Sequence, residues 1–261
     1  MRRYSFALIP ALVLFGVGEA SAADVTVLSA GAMRSVVQAL AAPFEQASGN
    51  HLVFTFGTAG EVEKRLADGE VFDVALATKP RLAKLEAAGT ITAGSVVVVG
   101  RSPIALAVKQ GAPKPDISTV DAFKKTLLAA NSIAYTDPAS GGTSGIHIAQ
   151  VIRDLGIADA VQGKVRPITG KPGAPPAVGE AIARGEAEIG LQPVSELAGV
   201  PGIDIVGVIP AALQTPDLTY AAGLPTKGGA HDASRAFIKL LVSEQGIAAV
   251  KAKGLIPGDG G

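Results

Sequence analysis

Residues 25–49, VTVLSAGAMRSVVQALAAPFEQASG, decide the fold of this chain. They begin with a β-branched run, Val25-Thr26-Val27-Leu28, which favours a strand. Four small residues follow, and an apolar stripe then recurs at three- and four-residue spacing from Met33 to Phe44, which predicts one face of a helix. Gly49 is placed to end that helix, because glycine readily adopts the left-handed conformation of a helix C-cap. The segment is therefore a strand, a tight loop and a helix.

The same order recurs in the next residues. We predict a strand over 52–56, a small-residue loop over 57–60, a helix over 61–67 and a strand over 72–77. Strand, loop and helix in this order form βαβ units, which require a parallel sheet with helices on its faces. The fold class predicted is α/β.

The pattern restarts after two apolar strands, at 96–99 and 104–108. A helix over 119–128 and a strand over 133–136 then begin a second lobe, and near 203–208 the chain returns to the first. We expect lobe I to comprise residues 23–104 and 206–261 and lobe II residues 105–205. The two crossings would form a hinge of two segments.

The first 22 residues predict a secretory signal peptide. They hold a basic start, an apolar run from 6 to 17 that is shorter than the roughly 20 residues of a membrane span, and small residues at Ala20 and Ala22. The chain has no cysteine, which excludes a lipidated cysteine and disulfides. Lys+Arg and Asp+Glu are equal at 23 each, without a basic cluster, so neither nucleic acid nor a membrane surface is an expected partner. We expect a soluble periplasmic protein without a membrane anchor.

Three small-residue loops follow predicted strands, at 29–32, 57–60 and 137–144. In open α/β sheets, ligands lie beyond the carboxyl ends of the strands, where helix N-termini offer free N–H groups. Small side chains let those donors approach an anion closely. Any one such loop could be an ordinary turn, but three together favour a site for a small anion in the cleft between the lobes.

These segments resemble the periplasmic molybdate-binding proteins, a type II solute-binding family. The resemblance covers essentially the whole mature chain and is carried by residues 25–33, Phe56-Gly57-Thr58-Ala59-Gly60, Phe72-Asp73-Val74, Thr136-Asp137-Pro138 and Arg184-Gly185-Glu186-Ala187. It implies a type II periplasmic binding protein fold: two α/β lobes, a hinge and a ligand enclosed between the lobes.

The resemblance also implies which positions of this chain correspond to the five residues that hold the oxyanion in the family. The residue type differs at all five. The two serines fall on Ala32 and Ala59, the alanine on Ser144, the valine on Pro175 and the tyrosine on Pro193. Each lost hydrogen bond is worth about 0.5–3 kcal/mol, so molybdate is not the expected ligand.

Other residues supply charge and hydroxyl groups instead. Lys79 and Arg81 follow the third strand, Lys171 precedes Pro175, and hydroxyls come from Thr58, Ser140, Thr143 and Ser144. Cations with scattered hydroxyls suit a ligand bearing several carboxylates, and a tricarboxylate is favoured. All of these residues, with the five positions above, are the expected substrate-binding set.

His147 is the first candidate for a general base and Lys79 the second. A helix that begins near Ser144 would keep the His147 ring neutral near pH 7, because a helix N-terminus disfavours the imidazolium. A structural histidine is the open alternative. With three scattered histidines and no cysteine, we expect no metal site, and no cofactor.

The resemblance extends to a family member with an altered pocket that is an enzyme and interconverts trans- and cis-aconitate. It implies an isomerase that moves a C=C bond by an allylic proton shift. The alternative is a non-catalytic receptor that hands an organic anion, or less favourably molybdate, to the permease of an ABC transporter. In either case a monomer is expected, as is usual for this fold.

Overall fold

The structure, a computed structural model, describes residues 24–171, 173–228 and 231–258, with the side chain of His231 excepted. The predicted signal peptide and its cleavage site lie outside the described residues.

The first lobe is built on a mixed six-stranded sheet with the order β11-β4-β10-β3-β1-β2. Strands β1 to β3 are parallel, whereas β10 runs antiparallel to both β3 and β4. The strands of this sheet are β1 Asp24–Ala30, β2 His51–Gly57, β3 Val74–Thr78, β4 Val97–Arg101, β10 Thr219–Gly223 and β11 Ile256–Pro257.

The helices of the first lobe pack around this sheet. They are α1 Arg34–Ser48, α2 Ala59–Ala67, α3 Lys79–Ala87, α9 His231–Leu241 and α10 Glu244–Ala252. Helix α1 buries Val36, Val37, Leu40 and Phe44, the predicted stripe, and ends at Gly49, whose φ of 72° is the left-handed conformation expected of it. The rings of Phe44 and Phe237 meet edge to face at 5.3 Å and join α1 to α9.

The second lobe carries a five-stranded sheet with the order β7-β6-β8-β5-β9. Strand β6 is parallel to β7 and β8, and β5 is antiparallel to β8 and β9. Its strands are β5 Ile104–Lys109, β6 Ile133–Thr136, β7 Val165–Ile168, β8 Ile189–Pro193 and β9 Ile203–Val208, and its helices are α4 Val120–Ala129, α5 Thr143–Asp154, α6 Ala158–Val161, α7 Val178–Ala183 and α8 Val194–Leu197.

The prediction of two α/β lobes is confirmed, with differences in detail. Both sheets are mixed: β10 runs antiparallel to its neighbours in the first sheet, and β5 runs antiparallel to its neighbours in the second. Strand β9 lies where we predicted the return to the first lobe, and it pairs with β5 of the second sheet up to Val208. Helix α3 was not predicted; it begins at Lys79 with Pro80 in its first turn, where the missing N–H of proline costs nothing. The exact lobe boundaries stay a prediction.

The two segments that cross between the lobes lie side by side. The Ser102 N–H donates to the Leu218 carbonyl at 3.2 Å, and the Gln214 side chain bonds both the N–H and the carbonyl of Ile104 at 2.9 Å. Helix α8 starts from the same point, since the Val194 N–H donates to the Pro103 carbonyl. The crossings therefore position α8 relative to both lobes.

Within the described ranges, no helix is both long and apolar enough to cross a membrane.

Candidate functional site

Gly31 brings the first lobe into direct contact with the second. A Cβ on this residue would lie 2.4 Å from the Cβ of Pro175, closer than real side chains approach. The loop after β1 therefore needs a glycine for the lobes to meet as they do. Gly31 also begins a 3-10 turn, Gly31–Met33, whose N-terminus has no side-chain cap and which leads into α1.

A second contact between the lobes, which we call the latch, joins α2 and α3 to the loop after β6. Three donors of the first lobe bond two carbonyls of the second: the Thr58 hydroxyl to Ser140 at 2.6 Å, the Gly60 N–H to Gly141 at 3.1 Å and the Arg81 guanidinium to Gly141 at 3.2 Å. Gly60 and Gly141 are in backbone contact, which a Cβ on Gly60 would block at 2.7 Å.

Between these contacts lies the inner cavity, which has a volume of about 20 Å³ and room for about one water molecule. Helix α5 begins here, and its N-cap residue, Gly142, offers no side chain to the free N–H groups. The Thr143 hydroxyl is buried and has no hydrogen-bond partner in the described part of the chain. Free amides and an unpartnered hydroxyl at a helix N-terminus suit an anionic oxygen. The residues around the cavity include Gly31, Thr58, Ala59, Thr143, Ser144, Pro175, Glu196 and Tyr220.

Donors of the loop at 57–60 are used in the latch and in a helix cap. Thr58 and Glu61 form a capping box: the Thr58 N–H donates to the Glu61 carboxylate at 2.6 Å, and the Glu61 N–H donates to the Thr58 hydroxyl at 3.1 Å. A carboxylate already at this helix N-terminus disfavours a second anion. Of the three loops proposed for anion binding, the first and third therefore have open helix N-termini and the second does not.

The His147 cavity opens beside the latch and has a volume of about 410 Å³. Its walls come from both lobes, with Thr78 and Arg81 on one side and Thr143 and His147 on the other. The Nε2 atom of His147 lies 2.7 Å from the Leu213 carbonyl oxygen. Because a carbonyl only accepts, Nε2 carries the proton in the neutral ring and Nδ1 keeps its lone pair. The ring is thus oriented with Nδ1 as its basic atom.

The two cations predicted for this part of the cleft are not equally available. Arg81 forms an ion pair with Glu63, which also binds Lys84, and these contacts lower the pKa of Glu63 against the cost of its desolvation. A second nitrogen of the Arg81 guanidinium donates to the Gly141 carbonyl in the latch. Lys79 is exposed and does not line the cavities described here.

The Arg34 cavity lies on the opposite side of the inner cavity and has a volume of about 240 Å³. It shares Gly31, Pro175 and Glu196 with the inner cavity, so the two cavities are neighbours. Arg34 Nε and the hydroxyls of Ser35 and Ser195 are buried without a hydrogen-bond partner among the described residues. The guanidinium carbon of Arg34 lies 4.6 Å from the centre of the Phe56 ring, which fixes its position.

Glu196 stands between the inner cavity and the Arg34 cavity. Its Oε2 accepts a hydrogen bond from the Gln192 side chain, whose amide also donates to the Pro176 carbonyl at 3.0 Å. Loss of solvation in the cleft raises the pKa of Glu196 to about 8; Gln192 and Arg34 act in the opposite direction and Glu180 reinforces the rise. Tyr220 is buried nearby, and burial together with the Glu196 charge raises the pKa of its phenol.

The predicted substrate-binding residues divide into two groups. Those brought to the inner or the His147 cavity are Thr58, Ala59, Arg81, Thr143, Ser144, His147 and Pro175. The others lie elsewhere: Ala32 is buried in the core, Lys79 and Lys171 are exposed, Pro193 is buried at the end of β8, and the Ser140 hydroxyl donates to the Asp137 carbonyl. The roles assigned to all these residues stay predictions.

Sequence reasoning missed Arg34, Glu196 and Tyr220. A signal existed for Glu196: it lies in α8, which follows β8 directly, and so is near the carboxyl end of a strand, where ligands bind in such sheets. Arg34 likewise starts the helix after the first small-residue loop. Tyr220 gave no such signal, because only the pairing of β10 with β3 and β4 brings it to the cleft. Over the residues described, no group of three or more His, Asp or Glu side chains could hold a metal ion.

Residues 25–256 match the family model of the bacterial extracellular solute-binding proteins, and the chain belongs to that family. It is 39% identical over 238 residues to the aconitate isomerase of a Pseudomonas species, covering 89% of this chain and 87% of that protein. It is also 28% identical over 266 residues to the molybdate-binding protein ModA of Azotobacter vinelandii, covering 96% of this chain and 98% of the relative.

Solved structures show the same fold. The periplasmic molybdate-binding protein of Azotobacter vinelandii aligns with a TM-score of 0.74 at 20% identity, over 90% of this chain and all of that one. The sulfate-binding protein SubI of Mycobacterium tuberculosis aligns with a TM-score of 0.68 at 19% identity, over 91% of this chain and 88% of the other. At these identities the alignments establish the two-lobed fold and no more.

Proposed function

We propose that this protein is an isomerase that interconverts trans- and cis-aconitate in the cleft between its lobes. The observation that carries the proposal is the 39% identity, over most of both chains, with an aconitate isomerase. The reaction moves a proton across a three-carbon allylic unit and requires only carboxylate-binding groups and an acid/base group. It needs no cofactor.

The cleft supports a carboxylate ligand better than molybdate. Alanines stand at positions 32 and 59, where the resemblance to molybdate-binding proteins implies serines, and alanine cannot donate a side-chain hydrogen bond. The inner cavity alone is far smaller than the roughly 300–1,000 Å³ typical of small-molecule sites. Together with the His147 and Arg34 cavities it offers more space, and the guanidinium of Arg34 suits a carboxylate.

The family's extracellular character supports a periplasmic location, reached through cleavage of a signal peptide near Ala22. We propose a monomer, since the cleft is formed within one chain. The second candidate is a non-catalytic receptor that binds an organic anion and delivers it to an ABC transporter permease. The family supports it, because its members are solute-binding proteins.

Purified protein mixed with trans-aconitate, with chromatography for cis-aconitate, separates the two candidates. We expect conversion in both directions to one equilibrium mixture. Thermal unfolding with citrate, sulfate and molybdate provides the companion measurement, since a ligand at 100 times its Kd adds about 2.7 kcal/mol of stability. Tight tricarboxylate binding without conversion would establish the receptor, and stabilisation by molybdate alone would contradict both candidates.

A further inference from the structure

We propose that Glu196 carries the proton in this isomerisation and that Arg34 holds a substrate carboxylate beside it. This inference rests on the proposed function and deepens it, because it moves the reacting centre from the His147 cavity to the junction of the inner cavity and the Arg34 cavity.

The position of Glu196 is the first argument. It projects from α8, which begins at the crossing between the lobes, into the seam where Gly31 meets Pro175. Its Oε1 lies 3.4 Å from the point that a Cβ of Gly31 would occupy, so the carboxyl group faces the backbone of the opposite lobe. Gln192 holds the other oxygen, Oε2. The carboxyl group is thereby oriented, with one oxygen directed across the cleft.

The charge environment lets this carboxyl group work in both directions. The groups that face it are Arg34 from α1, Glu180 from α7, Gln192 from β8 and Tyr220 from β10. Burial and the Glu180 charge favour the neutral acid, and Arg34 and Gln192 favour the carboxylate. A group balanced in this way can take a proton from carbon and return it near neutral pH.

Arg34 has no ion pair among the residues that the structure describes. Its Nε is buried and has no acceptor among the described residues. Ser35 and Ser195 line the same cavity, and their hydroxyls are also buried without a partner among those residues. Ser195 is only 4% exposed. Buried donors without acceptors are rare in proteins; these three belong to residues that line one cavity, and a carboxylate bound there would supply acceptors. Arg81, by contrast, is paired with Glu63.

The chemical step balances without a co-reactant. The Glu196 carboxylate removes a proton from the CH₂ group of trans-aconitate: the C–H bond breaks, an O–H bond forms and the electron pair spreads over the allylic unit and its carboxylates. The Glu196 carboxyl group then gives the proton to the former alkene carbon, so that the O–H bond breaks and a new C–H bond forms. Arg34 stabilises the carboxylate on which negative charge accumulates.

The first test compares Glu196→Gln with Glu186→Gln, a control on the surface of the same lobe. The amide keeps the shape of Glu196 and cannot accept the proton, so kcat should fall by about 100- to 10,000-fold with little change in citrate affinity. The kcat of Glu196→Asp should lie between those of Glu196→Gln and Glu186→Gln, which would show that a carboxyl group is required. Full turnover in Glu196→Gln overturns the proposal, as does a His147→Ala variant that alone abolishes turnover.

The pH profile gives a readout that a structural role would not produce. Because the carboxylate form starts the reaction, kcat/KM should rise with pH through the pKa of Glu196. Glu180→Gln removes a charge that raises this pKa, so the rise should move to lower pH; Glu186→Gln should leave it in place. An unmoved profile in Glu180→Gln would contradict the assignment.

The Arg34 assignment is tested by binding. Arg34→Met should weaken the thermal stabilisation by citrate, whereas Arg65→Met should not, because Arg65 also stacks on a phenylalanine, Phe72, but pairs with Glu70 outside the cleft. Equal stabilisation in both variants would overturn it. If the wild type converts no aconitate, the proposed function fails, and the citrate measurement still decides the role of Arg34.

Discussion

Glu196 couples the stability of the protein to pH. Because its folded pKa of about 8 lies above the ordinary value of 4.5, the folded state binds the proton more tightly than the unfolded state. Its contribution is therefore fully present below about pH 4.5 and is lost as pH rises to about 8, at about 1.4 kcal/mol per pH unit. The amide of Glu196→Gln cannot lose a proton. The difference in free energy of unfolding between Glu196→Gln and the wild type should therefore move in favour of the variant as pH rises, as urea unfolding at pH 4.5 to 8.5 can measure.

Glu186→Gln serves as the control in that series. Its carboxyl group is exposed, and a hydrogen bond from Arg184 lowers its pKa, so removing the charge gives no gain at high pH. A constant difference between wild type and Glu196→Gln at every pH would contradict the raised pKa.

The sequence could not predict this behaviour, because the pKa depends on which groups the fold brings to the cleft. The Thr-x-x-Glu spacing of Thr58 and Glu61 is typical of a capping box, but we predicted that loop as part of the anion site.

Helix α5 depends on Gly145 for its contact with β6. A Cβ at this position would lie 1.9 Å from the Thr136 carbonyl oxygen, a backbone atom that cannot give way cheaply. Gly145→Ala should therefore destabilise the protein by at least the 1–3 kcal/mol typical of overpacking, or roughly 2–10 °C in Tm for a protein of this size. Because α5 carries Thr143 and His147, ligand stabilisation should fall as well.

Gly163→Ala is the matched substitution, since a Cβ there meets nothing within 4 Å. Its thermal melt should overlie that of the wild type, and an equal loss in both variants would remove the steric explanation. At this scale the sequence predicted α1 well, because its stripe and Gly49 specify both its buried face and its end. It did not predict the sheet to which β9 belongs, because one apolar strand resembles another until its partner is known.

The latch stabilises the arrangement of the two lobes that the structure has. Arg81→Met removes one of its three hydrogen bonds, and bonds to charged groups contribute about 1.5–3 kcal/mol when well buried, less at a partly exposed site. We expect the open form to gain population, so the radius of gyration of the ligand-free protein in small-angle X-ray scattering should increase.

Lys84→Met is the control for this measurement, because Lys84 binds the same Glu63 and is not part of the latch. An unchanged radius of gyration in Arg81→Met, or an equal increase in both variants, would show that the latch does not hold the lobes.

The sequence predicted two lobes and two crossings from the restart of the βα pattern. The latch itself depends on backbone carbonyls of residues 140 and 141, which side-chain identities do not reveal.

The order of strands in the first sheet has a consequence for how the chain folds as it is made. Strand β10 lies between β3 and β4, so these two early strands cannot pair with each other and must wait for residues 219–223. All strands of the second sheet, in contrast, exist once Val208 has been synthesised, and the next residue, Ile209, joins the ends of that segment through its N–H bond to the Ile104 carbonyl at 3.0 Å. The inserted lobe can therefore mature first, while the flanking lobe stays an incomplete sheet in need of protection until the C-terminal part of the chain arrives.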